Sequence, residues 1–434
     1  MRQSMIYRAL AGILVLVMSA AASTASAQLA AVDAEDAVPG IPFKEGQILG
    51  MDELDRIKDY IPEPFWENRE FIFFEGMTMQ IGPFYKEFPV SEDRKAANAK
   101  WGGQARIGRD ESLENFTMGL PFPEVDPSDP QAGVKYAWNQ HYKHDALEGK
   151  ASWFFSYWDN GEELPLSFEG TGWAMRLANR PDHMERDGDI FDQEKRMGAG
   201  GITVTGPTDY RGIKGLGYAY KAGDLPRDEM RDVDVWVYIP DLRRVRRISG
   251  STRTDPVAGT DMTAEDTGGF QGVVTHFTWE YVGEVEVLAP LDTRLKGYPY
   301  NKDENYGPYG FSLGNDIWQL RKAIILDMKP KDRHPYKSKR LWLDKETYNI
   351  LYAAAYDRRG ELWKLIYQNY RWSEREDQPG RIEGINSFLR TSNIVINVRI
   401  GTGVRVDNYD VQPTRLRRGK IRRLTDIGRL SQGR

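Results

Sequence analysis

Apolar and polar positions alternate along most of this chain with a period of two, the signature of strands with one buried face. The clearest case is residues 233–248. Val233, Val235, Val237 and Ile239 alternate with Asp234, Trp236 and Tyr238, and Pro240 and Asp241 then supply turn chemistry. Val245 and Ile248 among Arg243, Arg244, Arg246 and Arg247 suit a returning strand with a solvated face. We take this hairpin as the organising unit, because most of the chain after Gly149 reads as repeats of it. Residues 151–158, the turn Asp159-Asn160-Gly161 and residues 164–168 form another. Strands follow at 202–205 and 218–220. Phe277, Trp279 and Tyr281 alternate with Thr278 and Glu280 on a further strand, which 284–288 continues. Residues 318–328, a meander over 339–343, 348–356 and 361–370, and then 393–398 and 404–409 complete the pattern. The expected fold is mainly β with some α, a large curved antiparallel sheet whose concave face helices cover.

The first part of the chain is less regular. Asp52 to Tyr60 suits a short helix with Leu54, Ile57 and Ile61 on one side, stopped by Pro62 and Pro64. Phe71, Ile72, Phe73 and Phe74 suggest a short strand. Prolines and glycines are frequent enough that residues 28–130 read as an extension packed on a main domain of residues 131–412. Asp129-Pro130 is a helix start, since Asp caps free amides and Pro is tolerated at the first helical position. The resulting helix, 130–148, carries Val134, Ala137, Trp138, His141 and Tyr142 on one stripe.

Residues 1–27 have the form of a cleavable signal peptide. Arg2 and Arg8 precede a short apolar run, and Ala25-Ser26-Ala27 ends it with small residues. Its removal takes two positive charges from a formal net charge of -5, leaving -7. A mildly acidic exported chain does not suit nucleic-acid binding. The absence of cysteine excludes disulfides, thiolate metal sites and a cysteine nucleophile. Residues 413–434 carry eight basic residues and one acid, Asp426. They read as a basic solvated tail, with transient contact to an anionic membrane surface as a second reading.

Motifs for chemistry are weak. Gly310-Phe311-Ser312-Leu313-Gly314 matches a serine-nucleophile pattern, but a loop precedes it, a strand follows it, and His334 is the only later histidine. Asp187, Asp189 and Glu194 resemble part of a calcium loop, yet His183 falls where the first aspartate belongs. His141 and His144 lie three apart on a helix, and Glu284 and Glu286 share a strand face. Asp145 adjoins the histidines, but a lone pair at this spacing is a weak signal and His141 falls on the apolar stripe, while most solvated carboxylate pairs share a strand face as Glu284 and Glu286 do. We therefore expect no enzyme, no cofactor and no metal, with the acidic loop as the weak metal candidate.

Several segments together resemble a known family. They are Gly119-Leu120-Pro121-Phe122-Pro123, Ala137-Trp138-Asn139, Val237-Tyr238-Ile239-Pro240 with Arg243 to Arg247, and Trp279 with Tyr281-Val282-Gly283-Glu284. Tyr356-Asp357-Arg358-Arg359-Gly360-Glu361-Leu362-Trp363 and Gly259-Thr260-Asp261-Met262-Thr263-Ala264-Glu265-Asp266 belong to the same set. The chain resembles the uncharacterised proteobacterial DUF1329 family, related to the outer-membrane lipoprotein-sorting (LolA/LolB-like) carriers. The resemblance implies a half-open barrel around a hydrophobic cavity, working in the periplasm. It further implies an inner-membrane lipid exporter and an outer-membrane barrel protein as partners. No lipobox cysteine is present, so the chain is similar to the soluble carrier rather than the anchored acceptor. The expected function is a carrier of a lipid or other hydrophobic molecule, with Val235, Val237, Phe277, Trp279, Tyr281, Trp342 and Leu351 lining the cavity. An envelope scaffold or glycan-binding protein is the alternative, and a hydrolase a third.

Overall fold

A computed structural model describes residues 38, 40–143, 147–191, 196–221, 225–226, 233–248, 253–294, 306–314 and 316–432. The signal-peptide segment, His144 and Glu194 lie outside them. The strands, in chain order, begin with β1 (Ile48–Gly50), β2 (Thr78–Ile81) and the small ribbon β3 (Arg106–Ile107) and β4 (Leu113–Glu114). A first meander holds β5 (Glu148–Asp159), β6 (Glu162–Glu163), β7 (Phe168–Arg176), β8 (Arg196–Gly206), β9 (Lys214–Tyr220), β10 (Asp234–Ile239) and β11 (Arg244–Ile248). A second holds β12 (Phe277–Ala289), β13 (Asp316–Pro330), β14 (Tyr336–Asp344), β15 (Ile350–Asp357), β16 (Leu362–Trp372), β17 (Phe388–Asn397) and β18 (Thr402–Pro413). The helices are α1 (Glu63–Glu67), α2 (Glu92–Trp101), α3 (Ala132–His141) and α4 (Arg418–Leu424).

The two meanders fuse because the last strand returns to the first: β18 pairs antiparallel with β5, Val404 opposite Tyr157 and Val406 opposite Phe155. The result is one 16-stranded sheet. Among the described residues its one parallel strand pairing sets β2 beside the start of β13. The sheet does not close, since β11 and β12 are not paired. The 233–248 hairpin forms, with Val235 opposite Ile248 and Tyr238 opposite Val245. It stands at an end of the sheet rather than its centre, and its arginines cover an edge strand that would otherwise invite pairing. At the β5–β6 turn Asn160 and Gly161 both take positive φ, 45° and 91°, as a tight hairpin demands.

One face of almost every long strand feeds a single buried cluster. Trp153 and Phe155, Ile202 and Val204, Val235 and Val237, Phe277 and Trp279, Leu341, Ile366, Val395 and Val404 all belong to it, around Val134, Ala137 and Trp138 of α3. A sheet whose two ends reach one cluster is wrapped around it, so this is the inner face. The outer face carries two further clusters. Residues from 43–88 cover the second meander there, where Phe65 meets Trp342 and Tyr352. α4 and its flanks cover the first meander, with Ile421 buried against Leu216 and Tyr218.

Three local expectations change. Phe71 to Phe74 form no strand. A 3-10 turn spans Arg69–Phe71 and irregular backbone with turns follows, which lets a contiguous apolar run spread its side chains over the outer core. α3 ends at His141, well short of 148, because β5 begins at Glu148. The basic C-terminal segment is docked: Leu416 N donates to Glu148 Oε2 at 2.6 Å, Lys214 Nζ to the Gln432 carbonyl at 3.0 Å, and the Tyr218 hydroxyl to the Thr425 carbonyl.

Candidate ligand-binding face

The inner face is apolar at both ends of the sheet and polar in the middle, and two pieces of chain cover it. α3 is the first. Asp129 Oδ1 accepts from Gln131 N at 2.8 Å at its start, and its backbone rests directly on β12, since a Cβ on Gly133 would lie 2.3 Å from the Trp279 carbonyl oxygen. Only glycine allows that approach. Trp138 Nε1 donates to the Glu111 carbonyl at 3.0 Å, and Asn139 exchanges two bonds with the Phe122 backbone, at 3.0 and 2.7 Å.

The second cover is residues 253–276, an irregular run of turns and short 3-10 pieces. It is held by a buried charged cluster. Asp266, 0% exposed, accepts from Lys339 Nζ at 2.9 Å and from the Tyr336 hydroxyl at 2.9 and 2.8 Å. Lys364 lies 3.4 Å away and also donates to the Tyr336 oxygen at 2.8 Å and to the Asp261 carbonyl. Asp261 in turn accepts from Asn397 at 2.7 Å, Thr402 at 2.6 Å and Tyr157 at 3.1 Å. Burial alone would raise the Asp266 pKa, but the two ammonium groups and the Lys339 and Tyr336 hydrogen bonds outweigh it and hold the carboxyl well below its ordinary range. Burial lowers the Lys364 ammonium despite Asp266 and Asp261. Buried charges persist only when paired in this way.

Between the end of α3, residues 268–272 and the rim of the sheet lies a cleft of about 160 Å³. Its walls come from one end of β5, β7, β8, β16 and β17. Met175, Met197, Phe270, Phe388 and Leu389 supply apolar surface, and Lys143, Arg176 and Arg390 stand beside His141 as its basic groups. No carboxylate among the described residues lines it.

The sequence-derived lining residues do not share a surface. Val235, Val237, Phe277 and Trp279 lie in the inner cluster, and Tyr281 packs against it. Trp342 and Leu351 lie in the outer cluster under the 43–88 segment. A bulge explains Leu351: Trp342 pairs with Tyr352 and Leu343 with Ile350, leaving Leu351 as the extra residue. Of the acidic loop, Asp187 caps a 3-10 turn with φ 51° and Asp189 lies 3.5 Å from Lys221. Among the described residues no three His, Cys, Asp or Glu side chains form a metal-sized group. His141 packs edge-on to Trp138 and Tyr142. Ser312 is buried, and its Oγ accepts from Gly314 N at 3.0 Å. His334 lies 3.2 Å from Glu265 in the inner cover. Glu284 pairs with Lys345 at 2.8 Å, and Glu286 accepts from the Tyr85 hydroxyl.

Two features escaped sequence reasoning, the charged cluster and the cationic cleft. Asp266, Lys339 and Lys364 come from three separate stretches, and the cleft collects residues from seven. The one available signal was the acidic, glycine-containing stretch 259–269.

Residues 57–402 match the family described as "Protein of unknown function (DUF1329)". An uncharacterized protein of Pseudomonas aeruginosa is 24% identical over 136 residues, 30% of this chain and 30% of that protein. The match therefore spans less than a third of the relative's length. Among solved structures, a DUF1329 family protein from Desulfovibrio piger is similar at 20% identity and TM-score 0.46, over 70% of this chain and 100% of that one. A putative outer membrane lipoprotein-sorting protein domain from Vibrio parahaemolyticus is similar at 17% and 0.45, again over 70% and 100%. A LolA superfamily protein from Nitrosomonas europaea is similar at 12% and 0.36, over 65% and 92%.

Proposed function

Because this chain belongs to the DUF1329 family, whose function is unknown, we propose from its own geometry that it binds and carries a lipid or similarly hydrophobic molecule in the periplasm. The observation that carries this reading is the inner face. A wrapped, unclosed sheet presents apolar strands not to a second sheet but to one ten-residue helix and an irregular segment. Such a cover is small enough to move as a ligand enters. Burying ~14 methylenes gives on the order of 11 kcal/mol against water, at about 0.8 kcal/mol per methylene. A bilayer already provides the same burial, so transfer from membrane to protein is close to neutral and needs no chemistry. The rim cleft, about 160 Å³, is smaller than the ~300–1,000 Å³ of ordinary ligand sites. On this reading a whole acyl chain enters only when α3 or residues 253–276 lift.

An inner-membrane exporter would load such a carrier and an outer-membrane barrel would receive from it. The glycan-platform alternative has less support. The large apolar side chains exposed among the described residues are Val38, Ile48, Val282 and Ile400, none aromatic. The test is native mass spectrometry of protein purified from its own envelope, with lipid extraction of the same sample. A bound lipid near one per chain is expected. Protein that carries none and takes up no fluorescent fatty acid after delipidation would overturn the reading.

A further inference from the structure

We propose that a track of glycine and alanine on the inner face of the first meander seats a single hydrocarbon chain, entered from the rim cleft, and that Trp153 donates a hydrogen bond to an oxygen on that chain; this rests on the carrier reading above. The strand registers lay the track out. Gly149 of β5 stands opposite Ala174 of β7, Ala174 opposite Gly200 of β8, and Gly200 opposite Gly217 of β9. Directly opposite residues of an antiparallel pair share a face, and Gly217 is opposite Val235, a member of the inner cluster. One row across four strands thus carries nothing larger than a methyl group. The next row, Ala151, Gly172, Ile202 and Gly215, holds one large side chain. Neighbouring strands lie ~4.8 Å apart, so a row of four is ~14 Å long. Gly149, Ala174 and Gly198 also line the rim cleft, and Gly200 and Gly217 are buried behind them. The cleft is the open end of the track.

Glycine inside a strand weakens it and is placed where a ligand or another backbone comes close. A buried donor decides between the two. The Trp153 indole lies over Gly170, two residues along β7 from Gly172, where an added Cβ would fall 2.6 Å from Cζ2 and 2.9 Å from Cε2, the atom bonded to Nε1. Trp153 is 1% exposed, and its Nε1–H has no hydrogen-bond partner. A cover backbone permanently seated in the track would bring carbonyl oxygens to that donor. Buried donors without acceptors are costly, and an ester, carbonyl or hydroxyl oxygen on an otherwise apolar chain matches this one. The ligand so selected is a single-chain lipid with one accepting oxygen beside the track.

Displacement of a fluorescent fatty acid from the delipidated full chain by 1-octanol, 1-dodecanol and 1-hexadecanol tests this. Wild type is expected to gain about fourfold in affinity per methylene between octanol and dodecanol, and little beyond, once the chain outruns the track. The variants are Gly200→Val inside the track and Ala174→Leu at its half-buried mouth, with folding checked by near-UV circular dichroism. If Gly200→Val does not fold, Ala174→Leu carries the test. Filling the track should weaken dodecanol on the order of tenfold, the equivalent of about two methylenes, and leave octanol nearly unchanged. Trp153→Phe keeps a ring but removes the donor, and should weaken all three alkanols by about threefold to tenfold. Dodecanol affinity unchanged in Ala174→Leu would overturn the track, and unchanged in Trp153→Phe the hydrogen bond, with the carrier reading intact in either case. Delipidated wild type that takes up neither the fluorescent fatty acid nor any alkanol would remove the carrier reading itself.

Discussion

Asp266 shows how one buried carboxylate positions the inner cover. It faces Lys339 and Lys364, all three at most 2% exposed, so removing its charge leaves two buried ammonium groups unpaired. Asp266→Asn is expected to destabilise the fold by about 3–5 kcal/mol, as for other broken buried pairs, measured by urea unfolding. The pH dependence follows from the same group. Its folded pKa lies below the ordinary carboxylate value, near ~3.9. Its contribution is therefore complete above that value and is lost as the pH falls toward the folded pKa. Wild type should lose stability steeply below about pH 4, and Asp266→Asn should flatten that part of the profile. An unchanged acid limb in the variant would refute the assignment. None of this is visible in the strand pattern. Alternation sets Lys339 on the face of Leu341 and Leu343, but nothing in the strand names its partner, 73 residues away.

At the scale of elements, bulges decide which side chains meet the inner face. In β12, Tyr281 pairs with Leu326 and Gly283 with Ile325, so Val282 is extra and alternation changes phase. Phe277 and Trp279 consequently face inward while Val287 faces outward. The period-two pattern places these residues on a strand correctly but carries no information about such a shift. Trp342 faces outward by plain alternation with Leu341 and Leu343, and the bulge in β15 turns Leu351 the same way. The contact between α3 and β12 is equally specific. Gly133→Val forces their backbones apart, and hydrogen exchange should quicken across residues 132–141 while β14–β18 stay protected. Exchange unchanged in α3 would show that the helix does not depend on this contact.

The whole molecule ties its termini to opposite parts of the outer face. Trp236, Leu416, Leu424 and Leu430 pack around Ile421 and Tyr218, so truncation after Pro413 should lower the melting temperature by exposing this cluster. On its exposed side α4 presents basic groups, Arg417, Arg418, Arg422 and Arg423, with Arg418 and Arg422 lying over the Phe191 ring. If this side touches a membrane, as its charge proposes, binding to anionic vesicles should weaken with salt. Replacing these four arginines by glutamine should cost about 1 kcal/mol each without unfolding the protein. Vesicle binding indifferent to the replacements would dismiss the contact. The docked segment was read from sequence as a solvated tail, because its apolar residues are too few to signal a partner by themselves.

The sequence alone determined the β character, the hairpin turns and the presence of a helix after Pro130, although that helix begins only at Ala132. Period-two alternation, turn residues and capping act between neighbours and are written locally. Only the tertiary structure decided the rest: β18 closing onto β5, the inward burial of Lys339 and Lys364, the bulges that choose a face, and the cover that fills the trough. Each of these depends on which distant strand lies alongside, and pairing over such separations is set by the packing of the whole sheet rather than by any one stretch of residues.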